Sequence, residues 1–382
     1  MSDARRRFYL PQLDGLRFCA FSLVFLHHSP LFPGGSRVAS SIKELGWIGV
    51  DLFFVLSAYL LVALLHREHA DTGNTDFKKF FIRRVLRIWP LFYVYVGLCF
   101  LYFITVDGKD LSEVAGRTIG HLFLLDNFFT AFSGQYNPLN FTEHLWTIAF
   151  EEQFYLLIPL LFMAVVGLRR NPRLFTLAAI AIVLAQPIVR WGLTRFHNSE
   201  LTLWVVPFLH SDTIVAGLLL GAGVGAGLKG RLPGDLLVAA GALVLGVILF
   251  ALPYDGFTSI WSARGIHLFT LLALGFSLVL LGCLDDRSWT AWLLSRQPLV
   301  FLGRISYGLY VWHFVGNHFG PAWTRSWLSA HVNLDNPYFA WLAAVLPALF
   351  LTVALSVLSY FALERPFLRI KSRFTLVPNR AD

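Results

Sequence analysis

Apolar runs recur along the whole chain, broken by short polar stretches, and a bilayer core takes about 20 apolar residues per helix. The pattern predicts about ten spans, near residues 14–32, 46–65, 88–106, 146–167, 174–193, 203–227, 233–253, 264–284, 298–320 and 339–363. The stretch 118–132, TIGHLFLLDNFFTAF, is too short and too interrupted for a span and is assigned to a loop, as a re-entrant or interfacial piece. In GLLLGAGVGAG, Gly217, Gly221 and Gly225 lie four apart on one helix face. That face suits close backbone packing, and the lack of a Lys-Ser/Thr ending together with its place inside a span argues against a phosphate loop.

Composition strengthens the membrane reading. Of 382 residues, 56% are hydrophobic and 14% charged, and the mean hydropathy is +0.62, outside the range of soluble globular chains. The expected fold is all-α: a polytopic integral membrane protein of about ten transmembrane helices. It reads as one domain over 1–382, with an N-terminal segment 1–12, a bundle 14–363, a tail 364–382 and no appended soluble domain. Cys19, Cys99 and Cys283 fall inside spans and read as small apolar packers. The basic start MSDARRRFYL leads into a long apolar run without a small-residue cleavage pattern, so the first span is expected to be retained. With the N-terminus inside, most of the 31 Lys and Arg fall in cytoplasmic segments, which sets both termini in the cytoplasm. The net charge of +8 is then topology charge dispersed among loops, and no nucleic-acid partner is implied.

Ionisable residues inside spans are costly and therefore functional candidates. They sort into two layers. Arg17, Arg84, Arg87, Arg304 and Glu364 lie toward the cytoplasmic side; His28, Asp51, Glu151, Glu152, Asp212 and His313 lie toward the outer side. A basic inner layer suits an anionic ligand, and histidine with carboxylates suits proton transfer. LDGLRFCAFSLVFLHHSP links the layers: Arg17 and His28 are eleven residues apart, about 20° in direction and about 16 Å in height on a helix. His27 points about 100° away from that face.

These residues resemble the membrane acyltransferase-3 family of bacterial O-acyltransferases. LDGLRFCAFSLVFLHH resembles its first-helix signature, with Arg17 and His28 at the paired positions. GVDLFFVLSAYLL, FFIRRVLRIWPLFYVYV, HLWTIAFEEQFYLLIPLL, HSDTIVAGLLLGA, LGRISYGLYVWHF and YFALERPF resemble later segments in order, from about residue 10 to 370. Two positions depart from the pattern: Ala58 stands for the usual Gly, and Thr147 for the usual Ser.

The resemblance implies transfer of an acyl group, most often acetyl, from cytoplasmic acyl-CoA to a hydroxyl of a cell-surface or exported glycan, in a bacterial inner membrane. Acetyl-CoA is the expected donor substrate, with no tightly bound cofactor and no metal. His28 supplies a base near neutral pH, with Asp51 or Glu151 to orient it; Ser57 is available for an acyl-enzyme. Arg84 and Arg87, at i and i+3, present planar forks to the donor phosphates, and Arg17 guards the inner mouth. Asp212, His313, Arg304 and Glu152 are further candidates, and Glu364 reads as the end of the last helix. The expected partners are acyl-CoA, a glycan or lipid-linked saccharide, membrane lipids and, since relatives often carry an extra esterase-like domain, a separate periplasmic acyl-transfer protein. Rival readings are a small secreted acceptor such as a macrolide sugar, a glycan-assembly subunit without catalysis, and a transporter. The last lacks the paired broken helices of carriers.

Overall fold

The computed structural model describes residues 9–375 apart from 31, 35–36, 135–136, 138, 169–170, 195–204, 208, 224–230, 252–266 and 332–334. Among the described residues the chain is helical throughout. In order come α1 (Pro11–His28), α2 (Arg37–Leu45), α3 (Ile48–Thr72), α4 (Phe77–Thr105), α5 (Leu111–Leu122), α6 (Asp126–Ser133), α7 (Trp146–Leu168) and α8 (Pro172–Thr194). They are followed by α9 (Asp212–Gly221), α10 (Gly234–Ala251), α11 (Leu268–Cys283), α12 (Trp289–Leu294), α13 (Gln297–Arg304), α14 (Ser306–His331), α15 (Pro337–Ser359) and α16 (Arg365–Ser372).

The helix ends follow local chemistry. Pro11 opens α1, where its missing N–H costs nothing. Asp76 caps α4 by accepting the Lys79 amide at 3.0 Å, which holds its carboxyl below the usual carboxylate range. Gly73 ends α3 in the left-handed region, at φ +71°. Pro90, Pro159, Pro187, Pro321 and Pro347 lie inside helices, as bundles in lipid tolerate.

Five helical stretches are long and apolar enough to cross a membrane: Ile48–Thr72, Phe77–Thr105, Glu143–Gly167, Arg173–Gly192 and Pro337–Ser372. Asp212–Gly221, Gly234–Ile248 and Leu268–Cys283 are apolar but shorter. The surface agrees with a membrane protein, since Leu160 is 70% and Phe350 73% exposed while Asp51, His313 and Arg190 are buried. Each of the ten sequence spans contains helix, with differences in detail. The span 298–320 is divided at Ile305 between α13 and α14. The stretch 118–132 holds the end of α5 and the short α6, turned against each other at Leu124 with φ +57°. Glu364 does not end the last helix: a π-turn over Tyr360–Glu364 carries α15 into α16.

Close backbone contacts set the helix positions. α3 packs on α9 and α1, α10 on α11, and α14 on α15. A Cβ at Gly217 would meet the Val55 carbonyl and the Ala58 side chain, and one at Gly221 would meet the Tyr59 carbonyl. The glycine face therefore lies on α3, and Gly225 is outside the described residues. A Cβ at Gly303 would overlap the Asp14 carbonyl, which seats the first turns of α1 against α13.

Gly217→Leu is expected to lower the melting temperature of the detergent-purified protein, since overpacking costs about 1–3 kcal/mol. An unchanged melting temperature would contradict the close α3–α9 contact.

Candidate functional site

α1, α3, α4, α7 and α14 supply walls of two adjoining cavities. The first, of about 80 Å³, is lined by Arg17, Arg84, Arg87, Glu151, Tyr155, Ser57 and Tyr307 among others. Arg84 and Arg87 share a face of α4, while Arg83 turns away to Glu68 Oε2 and the Phe374 carbonyl, at 2.9 Å each. Arg84 lies over the Tyr155 ring, 5.7 Å from its centre, and its Nε has no hydrogen-bond partner in the fold. Tyr155 donates its hydroxyl to Glu151 Oε1. Arg17 sits 3.6 Å from Asp14. Three guanidinium groups against Glu151 leave the lining net positive, and planar forks of this kind match phosphate oxygens.

The second cavity, of about 550 Å³, is lined by His27, His28, Lys43, Glu44, Trp47, Glu143, His144, Trp146, His210 and Phe314 among others. A carbonyl can only accept, so each imidazole facing one must present N–H to it. His28 donates from Nδ1 to the Val24 carbonyl at 2.9 Å, leaving Nε2 as the lone-pair nitrogen. His313 donates from Nδ1 to the Tyr310 carbonyl at 2.5 Å. Its Nε2 therefore carries a lone pair, 3.4 Å from His28 Nδ1. His144 donates from Nε2 to the Val311 carbonyl at 3.2 Å, and its buried Nδ1 has no partner in the fold. Lys43 Nζ donates to the carbonyls of His27 and Ser29 at 2.5 Å each, a cation on the C-terminal end of α1.

Val50, Thr147 and Tyr310 line both cavities. Thr147 Oγ1 and the Tyr310 hydroxyl are 2.6 Å apart. The wall between the cavities is thus one residue thick on each of α3, α7 and α14.

The sequence candidates divide accordingly. Arg17, Arg84 and Arg87 converge on the first cavity; His28 lines the second, and the buried His313 lies against His28 without lining it. Glu151, expected beside His28, lines the arginine cavity instead, because it lies a turn further along α7 than Thr147. Asp51 is also not the partner of His28: its Oδ1 accepts from His210 Nε2 at 2.9 Å and from Thr213 Oγ1 at 3.0 Å. Glu152 faces away from Glu151 and accepts the Trp89 indole N–H at 3.0 Å. Asp212 lines neither cavity; Arg190 grips it at 2.5 and 3.0 Å, and Thr270 adds a hydroxyl at 2.6 Å. Arg304 lines neither cavity, and its Nη2 lies 3.4 Å from the Tyr9 hydroxyl.

His144 and His210 are cavity residues that sequence reasoning missed. His144 lies two positions before the span assigned from Trp146, and so received no depth. His210 lies within a span beside Asp212 in HSD and carried the same signal of a buried ionisable group. Among the described residues no group of three or more His, Cys, Asp and Glu side chains converges as a metal site.

Over residues 10–361 the chain matches the family described as "Acyltransferase domain". It is 29% identical over 379 residues to the Bacillus subtilis (strain 168) protein named "Putative peptidoglycan O-acetyltransferase YrhL", across 94% of this chain and 55% of that one. It is 26% identical over 332 residues to "Peptidoglycan O-acetyltransferase OatA" of Listeria monocytogenes serovar 1/2a (strain ATCC BAA-679 / EGD-e), across 81% and 49% of the two chains. The chain spans about half the length of the curated relatives it matches. No solved structure matches it.

The placement of Asp212 has a consequence for stability. Arg190→Ala leaves a buried carboxylate uncompensated, so a loss of about 3–5 kcal/mol is expected, measured as a lower melting temperature and folded yield. A variant as stable as the parent would contradict the buried pair.

Proposed function

From a chain that belongs to the acyltransferase family, we propose an O-acyltransferase that carries acetyl from acetyl-CoA in the arginine cavity to a sugar hydroxyl in the histidine cavity. The observation that carries this reading is the pair of cavities of opposite chemistry that meet at Val50, Thr147 and Tyr310.

The donor sits on the cytoplasmic side, where acyl-CoA is made, and the bias of Lys and Arg supports the same orientation, with both termini cytoplasmic and about ten spans in a bacterial inner membrane. Arg84 and Arg87 take the donor phosphates and Arg17 lines the approach. In the second cavity His28 Nε2 takes the proton of the attacking hydroxyl. His313 replaces the expected carboxylate as its orienting neighbour. A neutral imidazole serves here because it holds the ring while adding no buried charge. The relatives' names support peptidoglycan as the acceptor glycan. Acetyl reaches it directly or through a separate extracytoplasmic transfer partner.

Thiol release from acetyl-CoA by the purified protein in lipid checks the donor half. His28→Ala is expected to lower kcat by about 10²–10⁴-fold, the usual contribution of a general base, and full activity would overturn the assignment. Arg84→Ala with Arg87→Ala is expected to raise KM for acetyl-CoA and to flatten its dependence on salt.

The acceptor half is checked by mass spectrometry of cell-wall glycan fragments from a deletion strain. Loss of acetyl from peptidoglycan sugars is expected; loss from another surface glycan would redirect the acceptor.

A further inference from the structure

We propose that the hydroxyls of Tyr310 and Thr147 bind the oxyanion of the transfer, at the wall between the two cavities. The proposal rests on the acyl-transfer reading and names catalytic residues that this reading leaves open. Both side chains line both cavities, as does Val50. Each marks the point where its helix passes from one cavity to the other. On α14, Tyr307 lines only the first and Phe314 only the second; on α7, Glu151 lines only the first and Trp146 only the second. A thioester held by its phosphates in the first cavity and a hydroxyl delivered to His28 in the second meet at this wall.

The side-chain polar atoms on the wall are the two hydroxyls, since Val50 is apolar. They lie 2.6 Å apart. Thr147 donates to the His144 carbonyl at 2.9 Å, and the Tyr310 hydroxyl lies 3.1 Å from the same oxygen. A hydroxyl proton rotates to the strongest acceptor in reach, and an oxyanion outranks a peptide carbonyl. The base is tied to the same turn of α14: His313, which approaches His28 Nδ1 to 3.4 Å, donates to the Tyr310 carbonyl.

The step balances as follows. The acceptor oxygen attacks the thioester carbonyl carbon while its proton passes to His28 Nε2. The carbonyl π pair moves onto oxygen, where the Tyr310 and Thr147 hydroxyls donate to it. The pair then returns, the C–S bond breaks, and the coenzyme A thiolate leaves with the proton from His28. One ester bond replaces one thioester bond.

Kinetics with acetyl-CoA and melting temperatures of Tyr310→Phe, Thr147→Val and Thr147→Ser test the assignment. Tyr310→Phe and Thr147→Val are each expected to lower kcat by about 100-fold, the usual cost of an oxyanion donor. KM for acetyl-CoA should stay within about twofold, because a group used only in the transition state does not set ground-state binding. Thr147→Ser, which keeps the hydroxyl, should retain most of the activity, and melting temperatures should be unchanged. The proposal is overturned by a Tyr310→Phe enzyme with parental kcat. It is equally overturned by a loss that arrives with a matching rise in KM or fall in melting temperature, which would make the pair a brace between α7 and α14. A parent protein that releases no thiol from acetyl-CoA overturns the acyl-transfer reading itself, a result separate from either of these.

Discussion

A polar side chain inside this bundle has only other protein groups to satisfy it. With apolar residues such as Leu160 and Phe350 on the outside, the exterior offers no hydrogen bonds in a bilayer, and each unpaired buried group costs several kcal/mol. Much of the interior therefore resolves into small sets of partners. Arg190 holds Asp212 and Thr270 serves the same carboxylate; Asp51 takes His210 and Thr213; Arg83 takes Glu68. Among the described residues, buried atoms without a partner include Arg84 Nε and His144 Nδ1 at the cavities, and also the second oxygens of Asp51 and Glu152, His121 Nδ1, Asp126 Oδ2, Arg304 Nε and Glu364 Oε1.

The same constraint sets the chemistry of the histidines. Each ring in the second cavity, and the buried His313 beside His28, is tied by one nitrogen, to a carbonyl in His27, His28, His144 and His313 and to a carboxylate in His210. The carbonyls of α1 and α14 thus choose the tautomer of His28 and His313, and leave Nε2 of His28 on the side away from the Val24 carbonyl. In both, a carbonyl about one turn earlier on the same helix holds the ring, and His313 adds a second neighbour to His28 Nδ1 at 3.4 Å.

Much of the site was legible from single helices. Arg17 and His28 lie on one face of α1 because eleven residues make close to three turns, and Arg84 with Arg87 share a face for a similar reason. The glycine face of α9 was legible too, since spacing alone exposes a groove for a neighbour. Depth within a span was less secure. Glu151 lines the arginine cavity and not the histidine one because it lies about one turn beyond Thr147 along α7, at about 1.5 Å per residue. His144 escaped notice because it lies in the 3-10 turn before that helix, outside any apolar run.

The sequence by itself determined that the chain is a helical membrane protein of the acyltransferase family, and which side chains share a helix face, because hydropathy and helical period are local properties. Only the tertiary structure decided who pairs with whom: that Asp51 belongs to His210, that Asp212 belongs to Arg190, that His313 stands beside His28, and that Thr147 and Tyr310 form the wall between the cavities. Those outcomes depend on how α1, α3, α7, α9 and α14 are rotated against one another, and that rotation is set by contacts between residues far apart in the chain, such as Gly217 against Val55 and Gly303 against Asp14.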